Sequence, residues 1–129
     1  YLGNSGTSAR LLTGLLASQN FETILTGDKS LSSRPMKRIT NPLSEMGAEI
    51  ISQNGKLPLH IKGKILNNCK IEIDIPSAQI KSGLILAALN TEGTTYINEK
   101  HITRDHTEIM LETFGADIET KKMWILLKL

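Results

Sequence analysis

Residues 2–10 read Leu2-Gly3-Asn4-Ser5-Gly6-Thr7-Ser8-Ala9-Arg10, and a leucine-rich block follows directly from residue 11 to residue 17. Glycines and hydroxyl side chains ahead of apolar residues at helical spacing predict a tight turn that opens a buried helix. A helix start attracts anions through its free N–H groups and partial positive charge, and glycine allows close approach. We therefore predict an anion site at Gly6 and Thr7, with Arg10 one turn further on. The alternative is an ordinary capped helix that binds no ligand.

The composition excludes several functional classes. The 129 residues carry a formal net charge of only +2, and 4% of them are aromatic. Such a chain lacks both the charge and the stacking rings of a nucleic-acid groove. Its one cysteine, Cys69, cannot form an internal disulfide, which favours a reducing, cytoplasmic compartment. The charge and the few aromatic residues predict no nucleic-acid partner. Since no apolar run is long enough to span a membrane, we expect no membrane partner either.

A pattern recurs along the chain at a spacing of about 70 residues. Met46-Gly47-Ala48-Glu49-Ile50 is echoed by Phe114-Gly115-Ala116-Asp117-Ile118, and the leucine-rich helix by a second apolar helix over residues 80–89. This spacing predicts two β-α-β-α-β-β units, residues 1–63 and 64–129, in an α+β fold. Each buried helix opens on a polar turn, 4–7 in one unit and 77–79 in the other. Pseudo-symmetry would bring the two helix starts together around an anion.

Local signals predict the remaining elements. An Asn54-Gly55 pair between alternating segments indicates a hairpin, and Gly47 and Gly115 each end a helix. Residues 27–33 are expected to form a polar loop, and Arg34-Pro35 to start the second helix. The last helix is expected to begin near Asp105 and to bury Ile109, Met110 and Phe114. Lys81 and Glu108 are expected on the surface.

Four motifs, in this order, cover essentially the whole chain: Leu2-Gly3-Asn4-Ser5-Gly6-Thr7, Gly27-Asp28-x-Ser30-Leu31-x-x-Arg34-Pro35-Met36, Ser77-Ala78-Gln79-x-Lys81-Ser82 and Thr103-Arg104-Asp105-His106-Thr107-Glu108. Together they resemble the 5-enolpyruvylshikimate-3-phosphate synthase family, in particular its class II bacterial branch. The resemblance implies an enolpyruvyl transferase fold in which buried helices pack against four-stranded mixed sheets. It further implies part of the N-terminal domain of a two-domain enzyme. The implied reaction transfers the enolpyruvyl group of phosphoenolpyruvate to the 5-hydroxyl of shikimate 3-phosphate, releasing phosphate on the route to chorismate.

The resemblance also implies roles for individual residues. Those expected to bind phosphoenolpyruvate are Gly6, Thr7, Arg34 and Gln79, and those expected to bind shikimate 3-phosphate are Ser77, Ala78, Gln79 and Arg104. It implies no cofactor and no metal, and the three histidines lack metal-ligand spacing. Ser5 and Leu11 depart from the alanine and proline common in the family, which bears on the response to the herbicide glyphosate more than on catalysis.

We expect this chain to be a piece of a longer protein, because it lacks a starting Met and opens within what resembles a strand end. The remainder of that protein would be its partner, alongside the two substrates. The proton donor and base that the reaction needs are absent from the four motifs, so the 129 residues alone should be inactive. Two alternatives remain: the related transferase that acts on UDP-N-acetylglucosamine, and a non-catalytic anion-binding or scaffold domain of the same fold.

Overall fold

A computed structural model of the chain describes residues 1–73, 77–91, 93–99, 103, 105–113, 115–121 and 124–128. Its helices are α1 (Gly6–Ala17), α2 (Lys29–Ser32), α3 (Lys37–Glu45), α4 (Ala78–Ala88) and α5 (His106–Thr113). Its strands are β1 (Glu22–Leu25), β2 (Glu49–Gln53), β3 (Lys56–Lys62), β4 (Lys70–Ile73), β5 (Thr94–Glu99), β6 (Asp117–Lys121) and β7 (Trp124–Lys128). In the described part, no helix has the length and apolar character needed to cross a membrane.

The strands form two sheets with matching connectivity, which confirms the α+β prediction. The first sheet has the order β1-β3-β2, and the second has the order β4-β5-β7-β6. Strands β4 and β5 run parallel, whereas the other neighbours run antiparallel. Thus β1, β3 and β2 of the first sheet correspond to β5, β7 and β6 of the second. The division between residues 63 and 64 stays a prediction.

The expectation of four strands holds for the second sheet only. In the first sheet, Leu2 and Gly3 lie beside the end of β1, in the place that β4 takes beside β5. Leu2 N–H donates to the Thr26 carbonyl at 2.8 Å, and Asp28 N–H donates to the Gly3 carbonyl at 2.7 Å. Two backbone hydrogen bonds over so short a segment do not make a strand, so this sheet has three.

Residues with positive φ confirm the predicted turns. Asn54 and Gly55 have φ of 54° and 76°, the left-handed pair that a two-residue hairpin between β2 and β3 requires. Gly47 and Gly115 follow α3 and α5 with φ of 94° and 95°. The two units therefore end their second long helices in the same way.

Small residues, rather than leucines, form the buried face of α1. Its buried residues are Gly6, Ala9, Thr13, Gly14 and Ala17, while the four leucines are only half-buried. At the crossing with α4, an ideal Cβ on Gly14 would lie 1.9 Å from the Gly83 carbonyl oxygen. The helices thus meet backbone to backbone, and their N-terminal ends come together on the same side of the molecule.

Two predictions in the first unit need correction. The expected polar loop contains the short helix α2, because the Asp28 carboxylate caps it by accepting from Leu31 N–H at 2.8 Å. Helix α3 starts at Lys37 rather than at Arg34, and Met36 is its N-cap residue. Arg34 and Pro35 therefore lie in the connection between α2 and α3.

The predicted inner face of α5 is also wrong. Ile109 and Met110 are about half exposed, whereas Glu108 is buried; Phe114 lies outside the described residues. Helix α5 faces the protein with a carboxylate because a buried ammonium group, that of Lys81, lies opposite. An apolar pattern in the sequence cannot reveal such a pairing.

Candidate functional site

The starts of α1 and α4 are joined directly by side-chain hydrogen bonds. Gln79 Nε2 donates to Thr7 Oγ1 at 2.9 Å, and Arg10 Nη1 donates to Gln79 Oε1 at 3.1 Å. Gln79 therefore bridges two residues that lie about 70 positions earlier in the chain. The predicted meeting of the two polar turns is present in the structure.

Positive charge collects beside Gly6 without a compensating carboxylate. An ideal Cβ on Gly6 would lie 2.5 Å from Arg34 Nη1 and 2.8 Å from Arg10 Nη1, so both guanidinium groups lie against this glycine. Within the described ranges, neither arginine forms an ion pair with a carboxylate. Burial, followed by the charges of Arg34 and Arg38, lowers the pKa of Arg10. An anion placed here would relieve that repulsion.

Arg10 belongs to this site, although the residue-by-residue assignment from sequence omitted it. The signal was present, since Arg10 follows Gly6 by four residues and so lies above it on the same helix face. Its Nη1 also contacts the Gly6 carbonyl oxygen at 3.3 Å. This arginine links the two helix starts as well as contributing charge.

The start of α4 has the geometry expected of an anion-binding turn. Ser77 is the N-cap residue, and its Oγ accepts from Ile80 N–H at 3.3 Å. Because the hydroxyl acts there as an acceptor, its hydrogen is available to a ligand. Ala78 is the first helical residue, and its N–H has no partner within the helix.

A cleft of about 210 Å³ opens between the starts of α1, α4 and α5. Its lining residues are Thr7, Leu11, Ala78, Gln79, Ser82, His106 and Thr107. Three of the predicted site residues thus share one cavity. Gly6 and Arg34 lie beside it, against Arg10, while Arg104 lies outside the described residues.

Other candidates from the sequence lie elsewhere. His60 pairs with Glu22 at 3.0 Å on the first sheet. Across the described part of the chain, no three histidine, cysteine or acidic residues are grouped so as to hold a metal ion. The Asp28 carboxylate caps α2, as a turn residue would.

Lys81, predicted to be a surface residue, is one of the most buried side chains and is only 1% exposed. Its Nζ lies 2.9 Å from Glu108 Oε2 and 3.3 Å from Glu99 Oε1, and it donates to the Thr103 carbonyl at 3.3 Å. Sequence reasoning missed this cluster. The only signal was a lysine inside an otherwise apolar helix, the kind of position where a buried charge needs a partner.

The repeated α+β unit is the one that the resemblance to the enolpyruvyl transferases implied. A family model for EPSP synthase (3-phosphoshikimate 1-carboxyvinyltransferase) matches residues 1–127, and the chain belongs to that family. The solved EPSP synthase of Acinetobacter baumannii superimposes with a TM-score of 0.93 at 48% identity, over 98% of this chain and 29% of that one.

Curated relatives give the same family. The 3-phosphoshikimate 1-carboxyvinyltransferase of Lactiplantibacillus plantarum is 54% identical over 119 residues, which are 92% of this chain. That of Ruthia magnifica is 55% identical over 122 residues, or 94% of this chain. The chain spans about 28% of the length of these relatives. The family resemblance and the fold predicted from sequence are therefore confirmed.

Proposed function

We propose that this chain is the part of a shikimate-pathway enolpyruvyl transferase that binds both substrates, in the cytoplasm. The parent reaction transfers the enolpyruvyl group of phosphoenolpyruvate to the 5-hydroxyl of shikimate 3-phosphate and releases phosphate. The contact of Gln79 with both Thr7 and Arg10 carries the proposal, because it joins the two helix starts into one site. Neighbouring sites for two anionic substrates are what this reaction requires.

The phosphoenolpyruvate site is proposed at the start of α1. The N–H groups of Gly6 and Thr7 and the guanidinium of Arg34 would bind its phosphate and carboxylate. Gly6 leaves open the space in which a Cβ would collide with two arginines. Arg10 adds a second positive charge at the same place, and a guanidinium can pair with two oxygens at once.

The shikimate 3-phosphate site is proposed at the start of α4. Ser77 would donate its hydroxyl and Ala78 its N–H to the phosphate, and Arg104 would add charge. Gln79, already held between Thr7 and Arg10, would face both substrates. The two phosphates would thus each take one helix start, and the dipoles of α1 and α4 would stabilise them.

Paired substitutions test this assignment. Arg34→Ala should weaken the binding of phosphoenolpyruvate more than that of shikimate 3-phosphate, and Ser77→Gly should do the reverse. Each loss should be roughly tenfold or more, the value of one charged hydrogen bond. Glycine is chosen at position 77 because it removes the hydroxyl at little cost to the helix cap.

The measurement is an NMR titration of the chain with each substrate, for which we expect affinities on the order of millimolar. Lys64→Ala is the control for the loss of one positive charge. Lys64 lies at the far end of α1, where its N–H donates to the Ala17 carbonyl. Amide shifts centred away from residues 4–7, 34 and 77–79 would refute the assignment. Equal effects of Arg34→Ala and Ser77→Gly on both ligands would also refute it.

The uncompensated arginines also fit a non-catalytic domain that binds anions in general. Such a domain would bind sulfate as tightly as shikimate 3-phosphate, since charge alone would hold the ligand. A clear preference for shikimate 3-phosphate favours the transferase. The names of the relatives favour it over the UDP-N-acetylglucosamine enzyme.

A further inference from the structure

A buried charged cluster lies behind the cleft and is used by neither proposed substrate site. Lys81 has its ammonium between the carboxylates of Glu99 and Glu108, which are 6% and 4% exposed. Thr103 completes the cluster, because its hydroxyl donates to Glu99 and its carbonyl accepts from Lys81. Three charged side chains and one loop residue are thus removed from water together.

The cluster joins the first turn of α5 to the first turns of α4. Lys81 on α4 pairs with Glu108 on α5, and the neighbouring Ser82 hydroxyl lies 2.7 Å from the Thr107 hydroxyl. Consecutive residues of one helix therefore bind consecutive residues of the other. Ser82 and Thr107 also line the cleft, so the two contacts set the distance between two of its walls.

Stability alone does not explain this arrangement. Removing three charged groups from water costs free energy, and an apolar cluster of similar volume often stabilises a fold equally well. In the described structure, Glu108 Oε1 is buried without a hydrogen-bond partner, which adds to that cost. What charged groups supply and apolar contacts do not is a defined direction and distance between the helices.

We propose that Lys81 is a positioning residue that holds the first turn of α5 against α4, and so shapes the shikimate 3-phosphate side of the cleft. This consequence for the ligand rests on the proposed function. The phosphoenolpyruvate side does not depend on Lys81, because the guanidinium groups of Arg10 and Arg34 lie against Gly6 from α1 and the α2–α3 connection.

The test uses Lys81→Met together with a charge-free variant, Lys81→Met/Glu99→Gln/Glu108→Leu, which keeps an acceptor for the Thr103 hydroxyl. Amide hydrogen exchange at Ile109 reports on α5, because its N–H makes the first bond of that helix, to Asp105 at 3.0 Å. The amide of Met46 serves as the internal reference in the first unit. Leu84→Ala, a fully buried position of α4 without a charge, is the matched destabilised control.

In both Lys81 variants, the Ile109 amide should exchange at least tenfold faster relative to Met46 than in the native chain. Binding of shikimate 3-phosphate should weaken roughly tenfold, while binding of inorganic phosphate at the α1 start should change less than twofold. Leu84→Ala should change neither the exchange rate of Ile109 relative to Met46 nor the affinity for shikimate 3-phosphate, since it lowers stability without releasing α5.

Unchanged Ile109 exchange in the charge-free variant would overturn the proposal. It would also be overturned if the Lys81 variants lost no more affinity for shikimate 3-phosphate than Leu84→Ala does. Should the native chain bind no shikimate 3-phosphate at all, the proposed function fails instead. The positioning of α5 by Lys81 is then decided by the exchange measurement alone.

Discussion

Gly14 of α1 and Gly83 of α4 lie so close that an ideal Cβ on Gly14 would stand 1.9 Å from the Gly83 carbonyl oxygen. This crossing places the two helix starts beside each other, since both helices begin at the cleft and run from there to the crossing. The Thr7–Gln79 and Arg10–Gln79 hydrogen bonds lie at that end. A pair of glycines in the core thus determines the geometry of a site several residues away.

A methyl group at position 14 should destabilise the fold. In a solvent-exposed helix Gly→Ala would stabilise, but here it must push two backbones apart, so we expect Gly14→Ala to cost about 3 kcal/mol. Gly83→Ala should cost less, because its Cβ would meet the flexible end of Ile39 at 2.8 Å and the Arg10 carbonyl at 2.9 Å. Urea denaturation measures both. Equal stability of Gly14→Ala and the native chain would contradict the observed crossing.

Gly6→Ala should weaken phosphate binding without unfolding the protein. The three atoms nearest to its Cβ would belong to the guanidinium groups of Arg34 and Arg10, which can move aside, while alanine favours the helix. We expect unchanged or slightly higher stability and roughly tenfold weaker phosphate affinity, because the methyl group occupies the approach to the helix start. Calorimetric titration with phosphate, alongside denaturation of the same variant, checks both outcomes. Native affinity in Gly6→Ala would place the anion elsewhere.

Cys69 should be an unreactive thiol. Burial, and to a smaller extent the Glu45 carboxylate, raises the pKa of the Cys69 thiol. The folded chain therefore holds this proton more tightly than the unfolded chain does. The resulting contribution to stability is present below the unfolded pKa of about 8.5 and is lost as the pH rises through the folded value. Alkylation by iodoacetamide at pH 8 should be severalfold slower in the native chain than in urea. A faster native reaction would show that the thiol is activated.

The isolated 129 residues should release no phosphate from phosphoenolpyruvate plus shikimate 3-phosphate. The residues proposed to bind the substrates lie at both helix starts, but the four motifs contain no acid and base assigned to the reaction. A colorimetric phosphate assay against a protein-free blank is sufficient. Turnover above the blank would show that acid–base groups lie within this chain.

The outer face of the first sheet should promote self-association. Ile24 and Ile51 both pair with His60 in one row across β1, β3 and β2, and both are more than half exposed. Two exposed isoleucines on either side of a histidine form a partly apolar patch, and exposed apolar patches favour association. Sedimentation velocity should show mass increasing with concentration, and Ile24→Lys/Ile51→Lys should suppress the increase. Ile109→Lys, an equally exposed position on α5, is the control. A native chain that stays monomeric throughout would contradict the prediction.

The sequence by itself determined the repeated unit, the turns and the family. Those features depend on neighbours along the chain: Asn54 and Gly55 adopt positive φ, Gly47 and Gly115 end helices, and four short motifs carry the resemblance. The residues proposed to bind substrate also follow from those motifs. Their roles in binding substrate stay a prediction, although Thr7 and Gln79 are in direct contact.

Only the tertiary structure decided which side chains are buried and which charges are paired. Lys81 and Glu108 are polar in any one-dimensional pattern, yet each lies in the core because the other lies opposite. For the same reason Ile109 and Met110 face solvent. Burial of a charge depends on a partner far away in sequence, and the approach of two helices depends on the absence of a Cβ on both. Neither condition can be evaluated until the chain has folded, because each is a property of a pair.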